Sequence, residues 1–525
     1  MIVRSPHPDV TIPEVPLTEF VLQRAQELGD KPALIDGPTG RTITFGQFDA
    51  AVRSVAAGLA ERGFRKGDVL GIFSPNVPEF AVVFHAVSLL GGINTTINSL
   101  YTADDVAYQL KDSGARYLFT VPPFMDRAAD AAGRTGIEEV FVLGEAPGAT
   151  PFASLLGTPG QPPDVDIDPR VDLVALPYSS GTTGFPKGVM LTHYNLVANM
   201  CQFSSVHTTG ENDRVIGVLP FFHIYGLLVI MNSALRNGAT IVTIPRFDLE
   251  QFLRLMQDHA ITRAHLVPPI VLALAKQPLV DRFDLSSLRL IMSGAAPLDA
   301  NLAGACEVRL GCRVLQGYGL TEASPVTHCT PDDAPEKNKP GSIGPLLPNT
   351  EGRVVDYATG EDVGPNADGE VWIHGPQVMR GYLNNPQATE MSIDKDGWLH
   401  TGDIGHADED GYFYIVDRLK ELIKYKGYQV PPAELEAVLL SHPAITDAAV
   451  IPSPDEEAGE VPKAFVVLKS EVGPEEIMAF VAGRVAPHKR VRLVEVVEEI
   501  PKSASGKILR RVLVERERTR LSNTS

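Results

Sequence analysis

The chain has 525 residues, more than the roughly 250–300 at which a single hydrophobic core stops growing, so we expect at least two domains. Its net charge of −19 disfavours general binding to nucleic acids or anionic membranes, so an anionic ligand must be met by local cations. The four cysteines show no paired short spacing of the kind that binds zinc.

The N-terminal part alternates short apolar segments with helical patterns. Val69–Phe73 and Arg116–Thr120 are predicted strands, and Glu79–Leu90 is a predicted helix that ends at a pair of glycines. Strands that alternate with helices of this length are typical of an α/β domain with a largely parallel sheet.

The segment from Tyr178 to Val189 combines hydroxyl groups, glycines and one lysine, Lys187. Glycine lets backbone N–H groups approach an anion closely, and the lysine adds a charge that pairs with phosphate. We predict a strand before it (Leu173–Leu176) and a helix after it (Thr192–Met200), which is the context of a phosphate-binding loop. The residues on either side of Lys187, Pro186 and Gly188, differ from those that flank the lysine in the P-loop of nucleoside triphosphatases. A flexible surface turn is the alternative interpretation.

Two further segments place polar or small residues where a ligand could enter. His223 lies among apolar and aromatic residues, as either a packed core histidine or part of a pocket wall. Small residues follow the predicted strand Leu288–Met292, and the carboxyl ends of strands in an α/β sheet are where ligands usually bind. A plain tight turn is the alternative for this second segment.

The segment from Gln316 to Ala323 has the composition of a second strand-end site. Gly317 and Gly319 leave space beside a hydroxyl group, and Glu322 adds a carboxylate that can hold Mg²⁺. A solvated surface glutamate is the alternative for Glu322.

From Gly352 onward the predicted strands become short, which indicates a β-rich subdomain. Within it Asp403 lies in a turn where its carboxylate can accept hydrogen bonds from sugar hydroxyls, unless it is an ordinary turn aspartate. We place a domain boundary after this region and predict an N-terminal domain of residues 1–419 and a C-terminal domain of residues 420–525. Lys507 lies near the end, in a glycine and serine loop before a helix.

Taken together, five motifs resemble, in order and spacing, the adenylate-forming superfamily of acyl-CoA synthetases, luciferases and peptide-synthetase adenylation domains. They are the Ser180–Lys187 loop, the Gln316–Glu322 segment, the Thr401–Asp403 turn, the Asp417–Arg418 junction and Lys507. Within the superfamily the chain is most similar to 4-coumarate–CoA ligases and their bacterial relatives. The resemblance implies an α/β fold, with a large N-terminal domain of layered α/β subdomains plus a β-rich subdomain and a small mobile α+β C-terminal domain.

The resemblance also implies a two-step reaction with ATP, Mg²⁺ and coenzyme A, in which a carboxylic acid becomes an acyl-adenylate and then a thioester. The implied catalytic residues are Lys507, His223, Thr321 and Glu322. The implied nucleotide- and coenzyme A-binding residues are Ser179, Ser180, Gly181, Thr182, Thr183, Gly184, Lys187, Gly294, Ala295, Ala296, Gln316, Gly317, Tyr318, Gly319, Thr321, Asp403, Arg418, Lys420, Lys424, Lys426 and Gly427.

Each implied role follows from the family position of the residue. Thr321 contacts the α-phosphate, and Glu322 holds Mg²⁺. Asp403 and Arg418 bind the ribose, while Lys507 bridges the acid carboxylate and the α-phosphate. The residues from Ser179 to Gly184, with Lys187, hold the β- and γ-phosphates.

The second step is implied to use another face of the C-terminal domain. His223 orients the carboxylate in the first step, and Lys424 lies by the adenylate. Lys426 and Gly427 lie near coenzyme A in the second step, which the domain reaches by rotating about a hinge at Lys420.

The resemblance places an acyl pocket around a planar aryl-propenoate such as 4-coumarate or cinnamate. The implied pocket residues are His223, Tyr225, Val229, Met292, Ala295, Gly319, Pro325 and Val326. Val229 stands where plant members often carry a small polar residue, which weakens the case for hydroxylated acids. A medium- or long-chain fatty acid is the main alternative, because an apolar slot does not by itself distinguish rings from chains.

Three other functions are weighed against this one: a luciferase-like oxidase, an adenylation enzyme that loads a carrier protein, and a non-catalytic nucleotide sensor. We expect a small-molecule carboxylic acid as the partner, no nucleic acid and no integral membrane segment. We also expect a monomer or homodimer. The cytoplasm is the expected location, since the sequence begins without a signal-peptide pattern.

Overall fold

The computed structural model describes residues 2–157, 161–179, 186–334, 337–426, 428–455, 457–503 and 506–522. Within these residues the strands form four β-sheets. The α-helices that pack on them are Leu17–Leu22, Ala25–Leu28, Phe45–Glu61, Pro78–Leu89, Ala103–Ser113, Met125–Gly133, Ala153–Leu156, His193–Ser204, Ser233–Arg236, Leu249–Asp258, Pro268–Lys276, Ala300–Leu310, Pro386–Ser392, Pro432–Leu440, Pro474–Ala482 and Arg510–Ser522.

The first sheet is parallel at its centre and carries the stems of the phosphate-loop segment at one edge. Its strands, in spatial order, are Tyr178–Ser179, Lys187–Thr192, Leu173–Ala175, Ile93–Thr96, Val69–Phe73, Tyr117–Thr120, Glu139–Val142 and Thr150–Pro151, and Gly381–Tyr382 also pairs with Lys187–Thr192. Val69–Phe73 is buried at every position, as expected for a parallel strand covered on both faces.

The second sheet is also parallel at its centre, with an antiparallel strand at each edge. In spatial order its strands are Val326–Cys329, Arg313–Gly319, Leu290–Ser293, Arg263–Leu266, Arg214–Gly217, Thr240–Thr243, Pro32–Asp36 and Thr42–Thr44. One hydrophobic core joins it to the first sheet, with Phe84 and Phe119 from one side and Val215 and Phe252 from the other. The predicted α/β class is confirmed.

The third sheet is antiparallel and forms the β-rich part that the short strands predict. Its strands are Val3–Arg4, Glu351–Val355, Gly369–His374, Leu399–Ala407 and Phe413–Arg418. The last two strands pair Asp403 directly with Arg418, which brings together two residues that the sequence marks separately.

The fourth sheet contains only strands from the C-terminal part of the chain. They are Tyr428–Val430, Ile423–Tyr425, Gly459–Leu468, Ile445–Asp455 and Leu493–Val496. Its hydrophobic cluster includes Leu435, Val450, Val466 and Val481, so this sheet packs on its own helices. The boundary at 419/420 stays a prediction.

The helix predicted after the phosphate-loop segment is confirmed as His193–Ser204. A strand that the sequence does not predict, Lys187–Thr192, precedes it. That strand pairs antiparallel with Tyr178–Ser179 and with Leu173–Ala175, so the segment closes a hairpin. Thr192 caps this helix, since its Oγ1 accepts a hydrogen bond from the Asn195 N–H at 3.1 Å.

In the part of the chain that the structure describes, we find no helix with both the length and the apolar character that crossing a membrane requires.

Candidate active site

A cleft of about 2800 Å³ lies at the carboxyl ends of the central strands of the second sheet and extends to the C-terminal part of the chain. It is lined by most of the described residues that the sequence singles out. These are Ser179, Lys187, His223, Tyr225, Val229, Met292, Gly294, Ala295, Ala296, Gln316, Gly317, Tyr318, Gly319, Thr321, Glu322, Pro325, Val326, Asp403, Arg418, Lys420 and Lys507.

Some predicted site residues lie elsewhere or cannot be placed. Ser180, Gly181, Thr182, Thr183, Gly184 and Gly427 lie outside the described residues. Lys424 and Lys426 are not among the residues that line the cleft. Lys426 instead forms an ion pair with Glu457, and the Lys424 N–H donates a hydrogen bond to Glu460 Oε2 at 2.7 Å.

The stems of the phosphate-loop hairpin fix the position of Lys187. Ser179 and Lys187 are directly opposite each other in the antiparallel pair. The Lys187 Nζ lies 4.3 Å from the centroid of the Tyr382 ring, which is within the range of a cation–π contact. The hairpin therefore presents one cation at the cleft, backed by an aromatic face.

Glu322 is oriented by the same tyrosine. The Tyr382 hydroxyl donates a hydrogen bond to Glu322 Oε1 at 2.8 Å, and the Met379 N–H donates to the Glu322 carbonyl oxygen at 2.8 Å. Burial raises the pKa of Tyr382, and Glu322 raises it further, so the phenol stays protonated and keeps donating. Sequence reasoning missed Tyr382, and no motif spacing could have found it, because strand pairing brings it to the hairpin.

Glu322 offers one carboxylate that could hold a magnesium ion. No cluster of three or more His, Cys, Asp or Glu side chains suited to a metal occurs among the described residues. Glu322 Oε2 accepts no hydrogen bond from any described residue and is available as a ligand. Mg²⁺ commonly takes one or two carboxylates and completes its shell with phosphate and water, so a lone carboxylate near Lys187 suits it.

Asp403 and Arg418 form a second fixed pair. Arg418 Nε lies 3.1 Å from Asp403 Oδ1, and the Tyr318 hydroxyl donates a hydrogen bond to Asp403 Oδ2. The Asp403 carboxylate raises the pKa of Arg418. A carboxylate held by a cation and a phenol at a cleft wall is suited to accepting hydrogen bonds from vicinal hydroxyls.

His223 is a neutral imidazole with an assignable tautomer. Burial lowers its pKa to about 3, and the positive charge of Lys507 adds to the effect. The Tyr225 N–H donates to His223 Nδ1 at 3.2 Å, so the single ring proton belongs on Nε2. His223 therefore offers a donor and has little capacity to act as a base near neutral pH.

Lys507 reaches the cleft from the C-terminal part of the chain. Burial and the positive charge of Arg418 lower its pKa, while Asp403 and Glu322 oppose the change. Its loop is closed by hydrogen bonds between Lys507 and Ser503, and a Cβ on Gly506 would lie 3.3 Å from Val267. Gly506 thus lies close to Val267, which follows the strand Arg263–Leu266, and Lys507 presents a cation among the other charged groups.

An apolar slot opens from the same cleft beside the second sheet. Tyr225 packs on a buried cluster that includes Val229, Met292 and Val326, and its hydroxyl donates to the Met292 carbonyl oxygen at 3.1 Å. A Cβ at Gly319 would lie 2.2 Å from the carbonyl oxygen of Pro325, so no side chain fits there. Backbone therefore forms part of the wall of the slot at this position.

The sequence was compared with protein families and with known proteins. Residues 21–383 match the model of the AMP-binding enzyme family, and residues 434–507 match that of the AMP-binding enzyme C-terminal domain. A 4-coumarate–CoA ligase of Oryza sativa subsp. japonica is 47% identical over 522 residues, which cover 97% of this chain and 96% of that protein. A 4-coumarate–CoA ligase of Solanum tuberosum is 45% identical over 538 residues, covering 100% of this chain and 98% of that protein.

A solved structure of another CoA ligase has a similar fold over nearly the whole chain. The anthranilate CoA ligase AuaEII in complex with anthranoyl-AMP is 28% identical, has a TM-score of 0.89, and is matched over 98% of this chain and 99% of that chain. The predicted resemblance to the adenylate-forming superfamily is confirmed. From the family model and the full-length relatives together, the chain belongs to the AMP-binding enzyme family.

Proposed function

We propose that this protein is an ATP-dependent acid–CoA ligase that acts on aryl-propenoic acids of the 4-coumarate and cinnamate type. It is an AMP-forming enzyme that makes an acyl-adenylate and then an acyl-CoA thioester. The observation that carries the proposal is the convergence of Glu322, the Asp403–Arg418 pair and Lys507 on one cleft beside an apolar slot. The full-length similarity to 4-coumarate–CoA ligases supports the choice of acid.

In the first step a carboxylate oxygen of the acid attacks the α-phosphorus of ATP, and the bond to the leaving pyrophosphate breaks. Catalysis of such a step is mostly positioning and charge neutralisation. Lys507 bridges the carboxylate and the α-phosphate, where negative charge accumulates. His223 Nε2–H donates to the carboxylate and orients it without removing a proton.

We assign the remaining nucleotide contacts to the residues that the family resemblance implies. Lys187 pairs with the β- and γ-phosphates, together with Ser179 and the loop residues Ser180–Gly184 that lie outside the described residues. Thr321 contacts the α-phosphate, and Asp403 with Arg418 binds the ribose hydroxyls. Gly294, Ala295, Ala296, Gln316, Gly317, Tyr318 and Gly319 form the wall against the adenosine. Glu322 holds Mg²⁺, which neutralises phosphate charge when bound.

In the second step the coenzyme A thiol attacks the acyl carbon, a thioester bond forms and AMP leaves. We assign Lys426 and Gly427 to coenzyme A and Lys424 to the adenylate. The C-terminal domain of residues 420–525 rotates about Lys420 between the steps, since Lys426 does not line the cleft while Lys507 does.

The slot suits a flat ring, with Tyr225 and Met292 as apolar contacts. Ala295, Gly319, Pro325 and Val326 complete it. A fatty acid is the second candidate, because the lining of the slot is apolar and does not by itself exclude a chain. We place the enzyme in the cytoplasm, where ATP and coenzyme A are available, as a monomer or homodimer.

The substrate is tested with a panel of acids. Cinnamate, 4-coumarate, and fatty acids of medium and long chain are incubated with ATP, Mg²⁺ and free coenzyme A, and AMP and thioester are measured. We expect the aryl acids to give the highest kcat/KM. Faster turnover of the fatty acids would favour the second candidate. Pyrophosphate release without any thioester on free coenzyme A would indicate a carrier-loading enzyme, and light emission with luciferin would indicate an oxidase.

The mechanism is tested by the Lys507→Ala variant. We expect it to lose adenylate formation by at least about a hundredfold, because the charge between the carboxylate and the α-phosphate is gone. Thioester formation from a supplied acyl-adenylate should stay within about threefold of the wild type, since that step uses other residues. The matched control is Lys489→Ala, which removes a lysine that pairs with Glu434 away from the cleft. Equal loss of both half-reactions would contradict the division of labour.

A further inference from the structure

The strand of the third sheet that carries Asp403 contains a β-bulge at this residue. On the neighbouring strand Glu370 and Trp372 are two positions apart, whereas their partners Ile404 and His400 are four positions apart. The three residues between these two partners therefore face a single residue of the neighbouring strand. Bulges interrupt the hydrogen-bond ladder and often re-aim a side chain next to an active site. The position of Asp403 thus depends on the shape of the bulge.

Two side chains supply hydrogen bonds where the ladder is interrupted. Glu370 Oε1 accepts a hydrogen bond from the Gly402 N–H at 2.9 Å. The Thr401 hydroxyl donates to the Val371 carbonyl oxygen at 2.6 Å and accepts from the Asp403 N–H at 3.1 Å. Gly402 has a φ of +70°, a left-handed conformation that glycine adopts without strain. The bulge therefore relies on a glycine and on a side-chain acceptor for the N–H of that glycine.

Glu370 is itself held in one orientation. Its second carboxylate oxygen, Oε2, accepts a hydrogen bond from the Trp372 indole N–H at 2.9 Å. The Trp372 ring stacks on His400, with 3.7 Å between the ring centroids, and the Arg353 guanidinium lies 5.3 Å from the centroid of the indole. Both carboxylate oxygens of Glu370 thus already accept hydrogen bonds from the sheet, although the residue lines the cleft.

Asp403 is held independently through its side chain and through its backbone. Arg418 and the Tyr318 hydroxyl contact the two carboxylate oxygens, and these contacts do not involve Glu370. Glu370 acts only on the backbone, through the N–H of the residue before Asp403. Loss of Glu370 would therefore leave the carboxylate paired but change its position. A small displacement of a binding group is enough to weaken contacts that require exact geometry.

We propose that Glu370 is a positioning residue, which holds the bulge so that the Asp403 carboxylate faces the ribose hydroxyls of the nucleotide. The inference rests on the proposed function, in which Asp403 and Arg418 bind the ribose. Glu370 acts through Gly402 rather than by contact with the nucleotide. Trp372 acts on the same bulge at one further remove, because it orients the Glu370 carboxylate.

The test compares nucleotides that differ only in the ribose hydroxyls. The wild type is assayed by pyrophosphate release with ATP and with 2′,3′-dideoxy-ATP, at a saturating concentration of an acid that it accepts. We expect kcat/KM for ATP to exceed that for the dideoxy nucleotide by at least about a hundredfold, because both hydroxyls donate to a carboxylate. Equal use of the two nucleotides would overturn the assignment of Asp403 to the ribose, and the role of Glu370 with it.

The same nucleotides are then assayed with Glu370→Ala and Glu370→Gln. In Glu370→Ala we expect KM for ATP to rise about tenfold with kcat within about threefold, while kcat/KM for the dideoxy nucleotide stays within about threefold. Glu370→Gln keeps an oxygen that can accept from the Gly402 N–H, so it should restore most of the preference for ATP. A purely structural role would lower kcat/KM for both nucleotides together and leave their ratio unchanged, which would overturn the proposal.

The matched control is Glu351→Ala. Glu351 belongs to the same sheet and pairs with Arg4 at 2.9 Å, but it is not among the described residues that line the cleft. This variant should keep the wild-type ratio between the two nucleotides, and a shift as large as that of Glu370→Ala would overturn the proposal. If the wild type releases no pyrophosphate with any carboxylic acid, the proposed function fails. If it prefers ATP and Glu370→Ala keeps that preference, only the assignment of Glu370 fails.

Discussion

Tyr382 links two parts of the cleft that are far apart along the chain. Its ring lies under the Lys187 ammonium group, and its hydroxyl donates to Glu322. Gly381–Tyr382 is held in place by pairing with the strand Lys187–Thr192, so the hairpin and the carboxylate share one support. Residues that orient a metal ligand affect metal affinity even though they never touch the metal.

This arrangement predicts a magnesium-specific defect in Tyr382→Phe. The ring and its contact with Lys187 remain, but Glu322 loses the hydrogen bond that orients it. We expect the Mg²⁺ concentration for half-maximal adenylate formation to rise about tenfold, with kcat at saturating Mg²⁺ within about threefold. The measurement is pyrophosphate release against Mg²⁺ concentration.

Tyr382→Leu serves as the comparison for this prediction. It removes the aromatic face as well, so KM for ATP should also rise, because Lys187 loses its cation–π contact. If Tyr382→Phe keeps the wild-type Mg²⁺ dependence, the hydrogen bond does not position Glu322.

At the residue scale, sequence could identify groups that carry their chemistry within a local motif. Glu322, Asp403 and Lys507 stand beside glycines or hydroxyls in short segments, and the cleft brings them together. Tyr382 has no such local signal, because strand pairing alone brings it to the site. A side chain whose relevance depends on tertiary contacts cannot be found from spacing.

At the scale of elements, strands buried on both faces were the easiest to predict. Val69–Phe73 has the bounds that its apolar run predicts. The sequence does not reveal the strand Lys187–Thr192, because its first three residues belong to the segment that reads as a phosphate loop. The π-helix Tyr225–Asn232 was also missed, since its apolar residues carry no period that separates it from an α-helix.

The C-terminal helix Arg510–Ser522 is fixed at its start by one arginine that joins several elements. Arg510 donates two hydrogen bonds to the Glu436 carboxylate, at 2.8 and 2.6 Å, and one to Glu421 at 2.6 Å. Glu436 lies on the helix Pro432–Leu440 and is almost fully buried. Burial raises the pKa of Glu436 to about 7 even though Arg510 opposes the change.

Arg510→Ala should therefore be strongly destabilising. It leaves a buried carboxyl without its cation, and removing one partner of a buried pair typically costs about 3–5 kcal/mol. Hydrogen–deuterium exchange read on residues 432–455 locates the loss, and urea unfolding measures it. The neighbouring Arg511→Ala is the control, because Arg511 is 73% exposed and its pair with Glu515 is worth less than about 1 kcal/mol. Similar losses in the two variants would show that the Arg510 contacts are not the cause.

At the scale of the whole molecule, the first two sheets and the fourth sheet have separate hydrophobic cores. The first two sheets share one core and together support the cleft. The fourth sheet has its own core, yet the loop that carries Lys507 reaches across and contacts Val267. The conformation described here thus holds at the cleft the lysine that we propose for the first step. Lys426, which we propose for the second, is paired with Glu457 elsewhere.

The whole fold is also predicted to lose stability in mild acid, because several histidines are buried without charge. Burial lowers the pKa to about 3 or 4 for His85, His193, His207 and His328. In the unfolded chain each binds a proton near pH 6.5, so below that pH the unfolded state holds more protons and stability falls as pH falls. Asp417 and Glu436 oppose this, since burial raises their pKa to about 6 and 7, but two carboxyls offset only part of the effect of four imidazoles.

Each buried histidine should cost about 1 kcal/mol at pH 5.5. We therefore expect the Tm, measured calorimetrically at one scan rate, to drop from pH 7.5 to 5.5. His85→Gln, which cannot titrate, should show a smaller drop, whereas a Tm that is flat or rises toward pH 5.5 would mean that these rings take up protons in the folded state.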